Sequence, residues 1–237
     1  MIPNTLHYTL GDCVEGMKQF PDKFFDLAIV DPPYGDGKQN IDGSISGGVQ
    51  PIRQHIREVQ VNDRGVSRTG GTWAEKYGKK IIAWDVAPGK EYFDELFRVS
   101  RNQIIWGGNY FELPATRCFI VWRKTNIPSE GFSMAPIEYA WTSFFRNAVI
   151  YDAFSSRKAN EPERIHACQK PVALYQWILQ NFAKPGYKIL DTMVGSGSSL
   201  IACARMGFEA WGWEIDPDYY QASVARIERE LAQGTLF

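Results

Sequence analysis

The stretch YKILDTMVGSGSSLIACARMGFEAWGWE, residues 187–214, decides the fold. YKILD reads as a short buried strand ending in Asp191. TMVGSGS is a glycine loop that lets a ligand approach the backbone closely. SLIACARM reads as a short helix stopped by Gly207, and FEAWGWE as a second strand ending in Glu214. Asp216-Pro217 then caps and starts a last helix, DYYQASVARIEREL. Strand, glycine loop, helix and strand in this order make a βαβ nucleotide-binding unit. Glu214 follows Gly195 by 19 residues, about the spacing of an acid that binds a ribose.

Upstream, PVALYQWILQNFAK predicts a helix with Pro171 as its first residue; Leu174, Ile178 and Phe182 share one face, and Pro185-Gly186 stop it. A dinucleotide fingerprint would place a third small residue at position 200, where Leu200 stands. That counts against a dinucleotide-dependent oxidoreductase. With Asp191 closing the first strand, the pattern leans toward S-adenosylmethionine.

Farther out, FFDLAIV (24–30) is a nearly continuous apolar run, as in a strand buried on both faces of a parallel sheet. Asp31-Pro32-Pro33-Tyr34-Gly35 follows. Prolines cannot extend a central strand, and each pushes the preceding residue toward extended geometry. The segment is a stiff loop presenting Asp31 and Tyr34 in a fixed relation. GKEYFDELFRVS (89–100) has helical spacing at Tyr92, Phe93, Leu96 and Phe97. NQIIWGG (102–108), RCFIVWRK (117–124), EYAWTSFF (138–145) and NAVIYDAF (147–154) read as strands, the last two paired as a hairpin. The expected class is α/β: a mostly parallel twisted sheet, an antiparallel edge hairpin and helices on both faces.

Residues 36–80 differ in character. They hold eight of the 21 glycines, and eight Lys or Arg against five Asp or Glu. They read as an inserted, mobile loop region within a single domain spanning 1–237. The chain's 237 residues carry a net charge of −1, which excludes a generally basic nucleic-acid coat but leaves room for a local basic groove. No apolar run approaches the roughly 20 residues of a membrane helix, and the N-terminus lacks the basic start and long apolar core of a secretory signal. Cys13, Cys118, Cys168 and Cys203 are scattered without metal-ligand spacing. They read as reduced thiols of a cytoplasmic protein, with no metal site.

Taken together, Asp31–Gly35, IHACQKPVAL (165–174), DTMVGSGSS (191–199) and GWEIDPDYY (212–220) resemble the N6-adenine/N4-cytosine DNA methyltransferase family, with the catalytic motif preceding the cofactor motif as in its permuted "beta" arrangement. The likeness spans nearly the whole chain outside 36–80. Two places depart from it: the family's usual Asp-Pro-Phe is Asp191-Thr192-Met193 here, and its usual His-Pro-Thr is His166-Ala167-Cys168.

The resemblance implies a Rossmann-like S-adenosylmethionine-dependent methyltransferase fold, with double-stranded DNA as partner. It leaves room for a homodimer and a cognate restriction enzyme. It implies transfer of a methyl group to the exocyclic N6 of an adenine flipped out of the duplex. N4-cytosine transfer, or a catalytically silent nucleic-acid-binding relative, stands as the alternative. Asp31 and the carbonyl of Pro32 would accept from the amine, with Pro33 stiffening the loop and Tyr34 stacking on the base. Asp12, Asp31, Lys170, Asp191, Thr192, Val194, Gly195, Ser196, Glu214 and Ile215 would surround the cofactor: Glu214 on the ribose, Ile215 on the adenine, Asp12 on its amine and Lys170 on the methionine carboxylate. Asn109 would sit near the base, and His166 reads as structural or a phosphate neighbour rather than a base. Arg53, Arg57, Arg64, Arg68, Lys79 and Lys80, with Arg157, Lys158 and Arg164 as a second set, would reach DNA, which makes 36–80 a candidate DNA-recognition element.

Overall fold

A computed structural model describes residues 2–34, 86–128, 135–154, 164–166 and 168–233. Eight strands form one sheet: β1 (Leu6–Leu10), β2 (Phe25–Val30), β3 (Ser100–Trp106), β4 (Phe119–Lys124), β5 (Ile137–Thr142), β6 (Val149–Ala153), β7 (Lys188–Asp191) and β8 (Glu209–Glu214). Their order is β1-β8-β7-β2-β3-β5-β4-β6. From β1 to β3 all neighbours are parallel. Five helices accompany them among the described residues: α1 (Cys13–Lys18), α2 (Lys90–Val99), α3 (Val172–Phe182), α4 (Ser198–Arg205) and α5 (Pro217–Gln233).

The continuous apolar runs are explained by burial on both faces. Side chains alternate along a strand, so Leu27, Ile29, Ile104, Trp106 and Ile189 meet Leu174, Ile178, Ile201 and Ile227 of α3, α4 and α5. Ala28, Val30, Ile105 and Leu190 meet Met17, Tyr92, Leu96 and Val99 of α1 and α2 on the opposite face. The predicted α/β sandwich with helices on both faces is the fold found.

Three details differ from the sequence reading. β1 and α1 were not marked by periodicity, because β1 is short and only Leu6 in it is buried. α1 is started by Asp12, whose Oδ1 accepts from the backbone N of Val14 at 2.8 Å and of Glu15 at 3.0 Å. Pro171 is the N-cap of α3, in extended geometry, rather than its first helical residue. Finally, β5 and β6 do not form the expected hairpin. β5 lies between β3 and β4, antiparallel to both, so each of its edges is already hydrogen-bonded. β6 therefore pairs with β4, in parallel, at the sheet's edge.

Candidate active site

Four neighbouring parallel strands end at one edge of the sheet, and each end carries an acid. Leu10 stands opposite Glu214, and Asp191 opposite Gly212. Leu190 stands opposite Ala28 of β2, which leads into Asp31. Asp12, Glu214, Asp191 and Asp31 thus follow one another along the carboxyl ends of β1, β8, β7 and β2. The crossover from β7 through α4 moves toward β8 and β1, whereas that from β2 through α2 moves the other way, to β3. The sheet divides between β7 and β2, the place where open α/β sheets form a binding crevice. The glycine loop flanks it on one side and Asp31–Tyr34 on the other.

The glycine loop is held from three directions. Gly195 and Gly197 adopt φ of 55° and 81°, the left-handed region that glycine enters without strain. The backbone N of Gly195 donates to Glu214 Oε2 at 2.8 Å, and that of Asp216 to Glu214 Oε1 at 3.0 Å. From α5 the buried Arg226 donates to the carbonyl of Ser196 at 2.7 Å and to Ser198 Oγ at 2.9 Å. Gly212 lies so close beneath that a Cβ there would stand 2.5 Å from Val194 Cγ2.

The acids facing the loop are unevenly exposed. Asp191 is buried; it accepts from the backbone N of Met193 at 3.1 Å and from the hydroxyl of Ser199. Burial pushes its pKa up to about 7. Burial raises that of Glu214 as well. Asp12 is exposed at the start of α1, and Ile215 is 62% exposed beside Glu214. Thr192 points into the core, where its hydroxyl bonds to that of Tyr92 at 2.7 Å. The ring of His166 packs against Gly195 and edge-on to Tyr219. Burial pushes its pKa down to about 4, so it stands neutral.

Across the crevice, Asp31 Oδ1 accepts from the hydroxyl of Tyr34 at 2.9 Å and Oδ2 from the ammonium of Lys170. Tyr34 stacks on Tyr110 with centroids 4.7 Å apart and planes 12° from parallel. Pro32 is buried and Pro33 partly so. Lys170 also lies 3.2 Å from Glu138 Oε2, and Lys124 lies 2.5 Å from Glu138 Oε1. Burial raises the pKa of Asp31, with Lys170 acting against it. Burial would lower that of Lys170, but Asp31 and Glu138 outweigh it and the ammonium is held protonated.

The fold therefore brings Asp12, Asp31, Tyr34, Asp191, Val194, Gly195, Ser196 and Glu214 to one edge. Asn109 is exposed in the turn at Gly108–Tyr110 that also carries the partner ring of Tyr34. Lys170 faces Asp31 and Glu138, two carboxylates of the chain itself. Arg53, Arg57, Arg64, Arg68, Lys79, Lys80, Arg157 and Lys158 lie outside the described residues, as does the rest of 36–80. No group of side chains able to hold a metal ion, and no helix long and apolar enough to cross a membrane, occurs among the described residues.

A family model described as DNA methylase matches residues 121–225, from β4 through the glycine loop into α5. Over that stretch, somewhat under half of its length, the chain is similar to the N6/N4 DNA methylases. It is 24% identical to the Escherichia coli (strain K12) protein named "Putative methylase YubD", over 94% of this chain and 92% of that one. Against the type II methyltransferase M.ScaI of Streptomyces caespitosus the identity is 23%, over 93% and 80%. Among solved structures, the PvuII cytosine-N4-specific DNA methyltransferase superposes with a TM-score of 0.59 at 12% identity, covering 98% of this chain and 92% of that one. At that identity the likeness speaks for the fold alone. In the candidate site, sequence reasoning missed Glu138, Lys124, Tyr110 and Ser199. Each sits in a strand, turn or helix whose pattern is otherwise ordinary, and only contact with a distant segment distinguishes it.

Proposed function

We propose that the chain transfers a methyl group from S-adenosylmethionine to the exocyclic N6 of an adenine flipped out of double-stranded DNA. One observation carries the reading: the glycine loop after β7 and the Asp31–Tyr34 loop after β2 flank the same crevice, on adjacent parallel strands. The donor set suits a cationic cofactor. Asp12, Asp191, Glu214 and Asp31 line the strand ends, so acids rather than phosphate-binding cations dominate. When bound, S-adenosylmethionine supplies an electrophilic methyl on sulfonium.

Glu214 accepts from the ribose hydroxyls, Ile215 covers the adenine ring, and Asp12 meets its amine. Asp191, Val194, Gly195 and Ser196 surround the methionine end. Thr192 supports this wall from behind through Tyr92. On the other side, an exocyclic amine is a weak nucleophile because its lone pair is delocalised into the ring. The Asp31 carboxylate and the Pro32 carbonyl would accept its two N–H bonds and localise that pair as the new C–N bond forms and the methyl–sulfur bond breaks, releasing a neutral thioether; the surplus proton would leave the nitrogen along these acceptors to solvent. Pro32 and Pro33 hold both acceptors at low entropic cost. Tyr34, backed by Tyr110, offers the extruded base an aromatic surface; such stacking is worth about 1–3 kcal/mol per base. Each Asp31 oxygen keeps lone-pair capacity beyond the bonds it already makes. The basic residues of 36–80, with Arg157 and Lys158, grip the duplex, and Asn109 lies at the base pocket.

The test is to incubate unmodified genomic DNA with the protein and isotopically labelled S-adenosylmethionine, then identify modified nucleosides by mass spectrometry. Labelled N6-methyladenine is expected, and Asp31→Ala is expected to abolish it while cofactor binding persists. N4-methylcytosine in its place would overturn the adenine assignment. No label in DNA, with cofactor bound, would point to a silent relative.

A further inference from the structure

Asp31 ends a row of alternating charges that runs through Lys170 and Glu138 to Lys124. Lys170, just before α3, bridges Asp31 and Glu138 of β5; Lys124 of β4 closes the row on Glu138. The sheet register makes this possible. Trp122 stands opposite Glu138, so Lys124 lies diagonally across on the same face, within reach of a long side chain. The side chains of Lys170 and Lys124 are only 4% and 7% exposed. Each ammonium lies over an indole: Lys170 over Trp106 at 5.2 Å and Lys124 over Trp122 at 5.1 Å. Two buried ammonium groups are tolerable only with their carboxylates in place. The row is therefore a unit in which a change of charge at one member is felt by the others.

Other titratable groups face the row from every packed element. Tyr34 bonds Asp31 directly. Tyr92 of α2, Tyr175 of α3 and Asp191 of β7 feel its charge, and His166 feels Lys170. The buried tyrosines stay protonated and His166 stays neutral, so among these neighbours Asp191 alone can add charge near neutral pH.

We infer that Glu138 and Lys124 are positioning residues for methyl transfer, acting on Asp31 through Lys170. The inference rests on the reading of Asp31 as the acceptor for the amine. Lys170 favours the ionised form of Asp31, and Glu138, by sharing the Lys170 charge, keeps Asp31 from surrendering its acceptor strength to a single tight ion pair. Lys124 takes up part of the Glu138 charge, so that Glu138 does not draw Lys170 away from Asp31. The row also fixes the Asp31 rotamer from the side away from the base.

The experiment measures the ionisation of Asp31 and the rate of transfer in Glu138→Gln, Lys124→Met and Lys124→Arg. Ionisation is read from the side-chain carboxyl carbon-13 shift in the cofactor-free protein, assigned by difference with Asp31→Asn. Removing the Glu138 charge should move the Asp31 titration to lower pH, and removing the Lys124 charge should move it to higher pH. Both variants should lower kcat about tenfold or more, with KM for S-adenosylmethionine within about twofold, as expected for misplacement of a reacting group. Lys124→Arg should restore both readings. Titrations that stay put, or that move the same way in both variants, would overturn the inference. Should Glu138→Gln fail to fold, the Lys124→Met and Lys124→Arg pair decides alone. Because the titration needs no turnover, a wild-type protein inactive on DNA would sink the Asp31 reading without deciding this one.

Discussion

The ring of Tyr34 occupies the space that a side chain at Gly107 would fill: a Cβ there would stand 2.1 Å from Tyr34 Cε1. Gly107 ends β3 with φ of 66°, donates its backbone N to the Tyr139 carbonyl at 2.8 Å, and starts the turn that carries Tyr110. Gly107→Ala therefore meets both a left-handed backbone and an occupied volume. It should cost about 2–4 kcal/mol of stability and dislodge Tyr34 from its hydrogen bond to Asp31. Urea unfolding and single-turnover methylation check this. A variant of wild-type stability and rate would show that the contact does not set the position of Tyr34.

Glu214 joins two backbone donors, Gly195 and Asp216. Glu214→Ala leaves both without their acceptor and should cost about 1–3 kcal/mol. S-adenosylmethionine affinity, by calorimetry, should fall with it, since the loop and the ribose acceptor are lost together. Glu214→Gln should lose less stability than affinity, because it keeps one acceptor but not the charge. Unchanged affinity in Glu214→Ala would place the cofactor elsewhere.

Ile215 separates binding from folding. At 62% exposure it contributes little to the core, so Ile215→Ala should change stability by no more than about 0.5 kcal/mol. Cofactor affinity should drop measurably, because an apolar cover over the adenine is removed. Equal affinities would remove Ile215 from the site.

Two buried titratable groups give opposite pH dependences. His166 is held near 4 against an ordinary 6.5. The unfolded chain takes up its proton first, so the stability from neutral His166 is present above 6.5 and lost as pH falls through about 4. Asp191 is raised to about 7 from 3.8. Its favourable contribution is present below 3.8 and lost as pH rises through about 7. His166→Asn should flatten the acid side of the stability profile. Asp191→Asn should gain on the wild type as pH rises to 8, with the new amide's oxygen still accepting from Met193 N and its nitrogen donating to Ser199 Oγ. Urea unfolding from pH 4 to 8 reads both; parallel profiles for wild type and variants would refute the burial argument.

Much of the chemistry was legible along the chain. The glycine loop, the proline-stiffened Asp31–Tyr34 segment and the strand-end acids Asp191 and Glu214 are all local signals. Backbone freedom and apolar periodicity act over a few residues, and the strands and helices of 187–233 fell where those signals put them, to within a residue or two. β1 escaped notice because one buried residue in five makes no period. Asp12 was placed by resemblance alone, and that it also caps α1 depends on what the following six residues do.

By itself, then, the amino-acid order determined which segments are strands, which loops are rigid and which side chains carry reactive groups, since those follow from neighbours on the chain. Only the tertiary structure decided that β6 abandons β5 for β4, because strands compete for whichever edges remain unpaired. It alone decided that Lys170 belongs to Asp31, 139 residues away, and to Glu138. A buried charge takes whatever opposite charge the finished fold brings within a few ångströms, and no pattern along the chain encodes that distance.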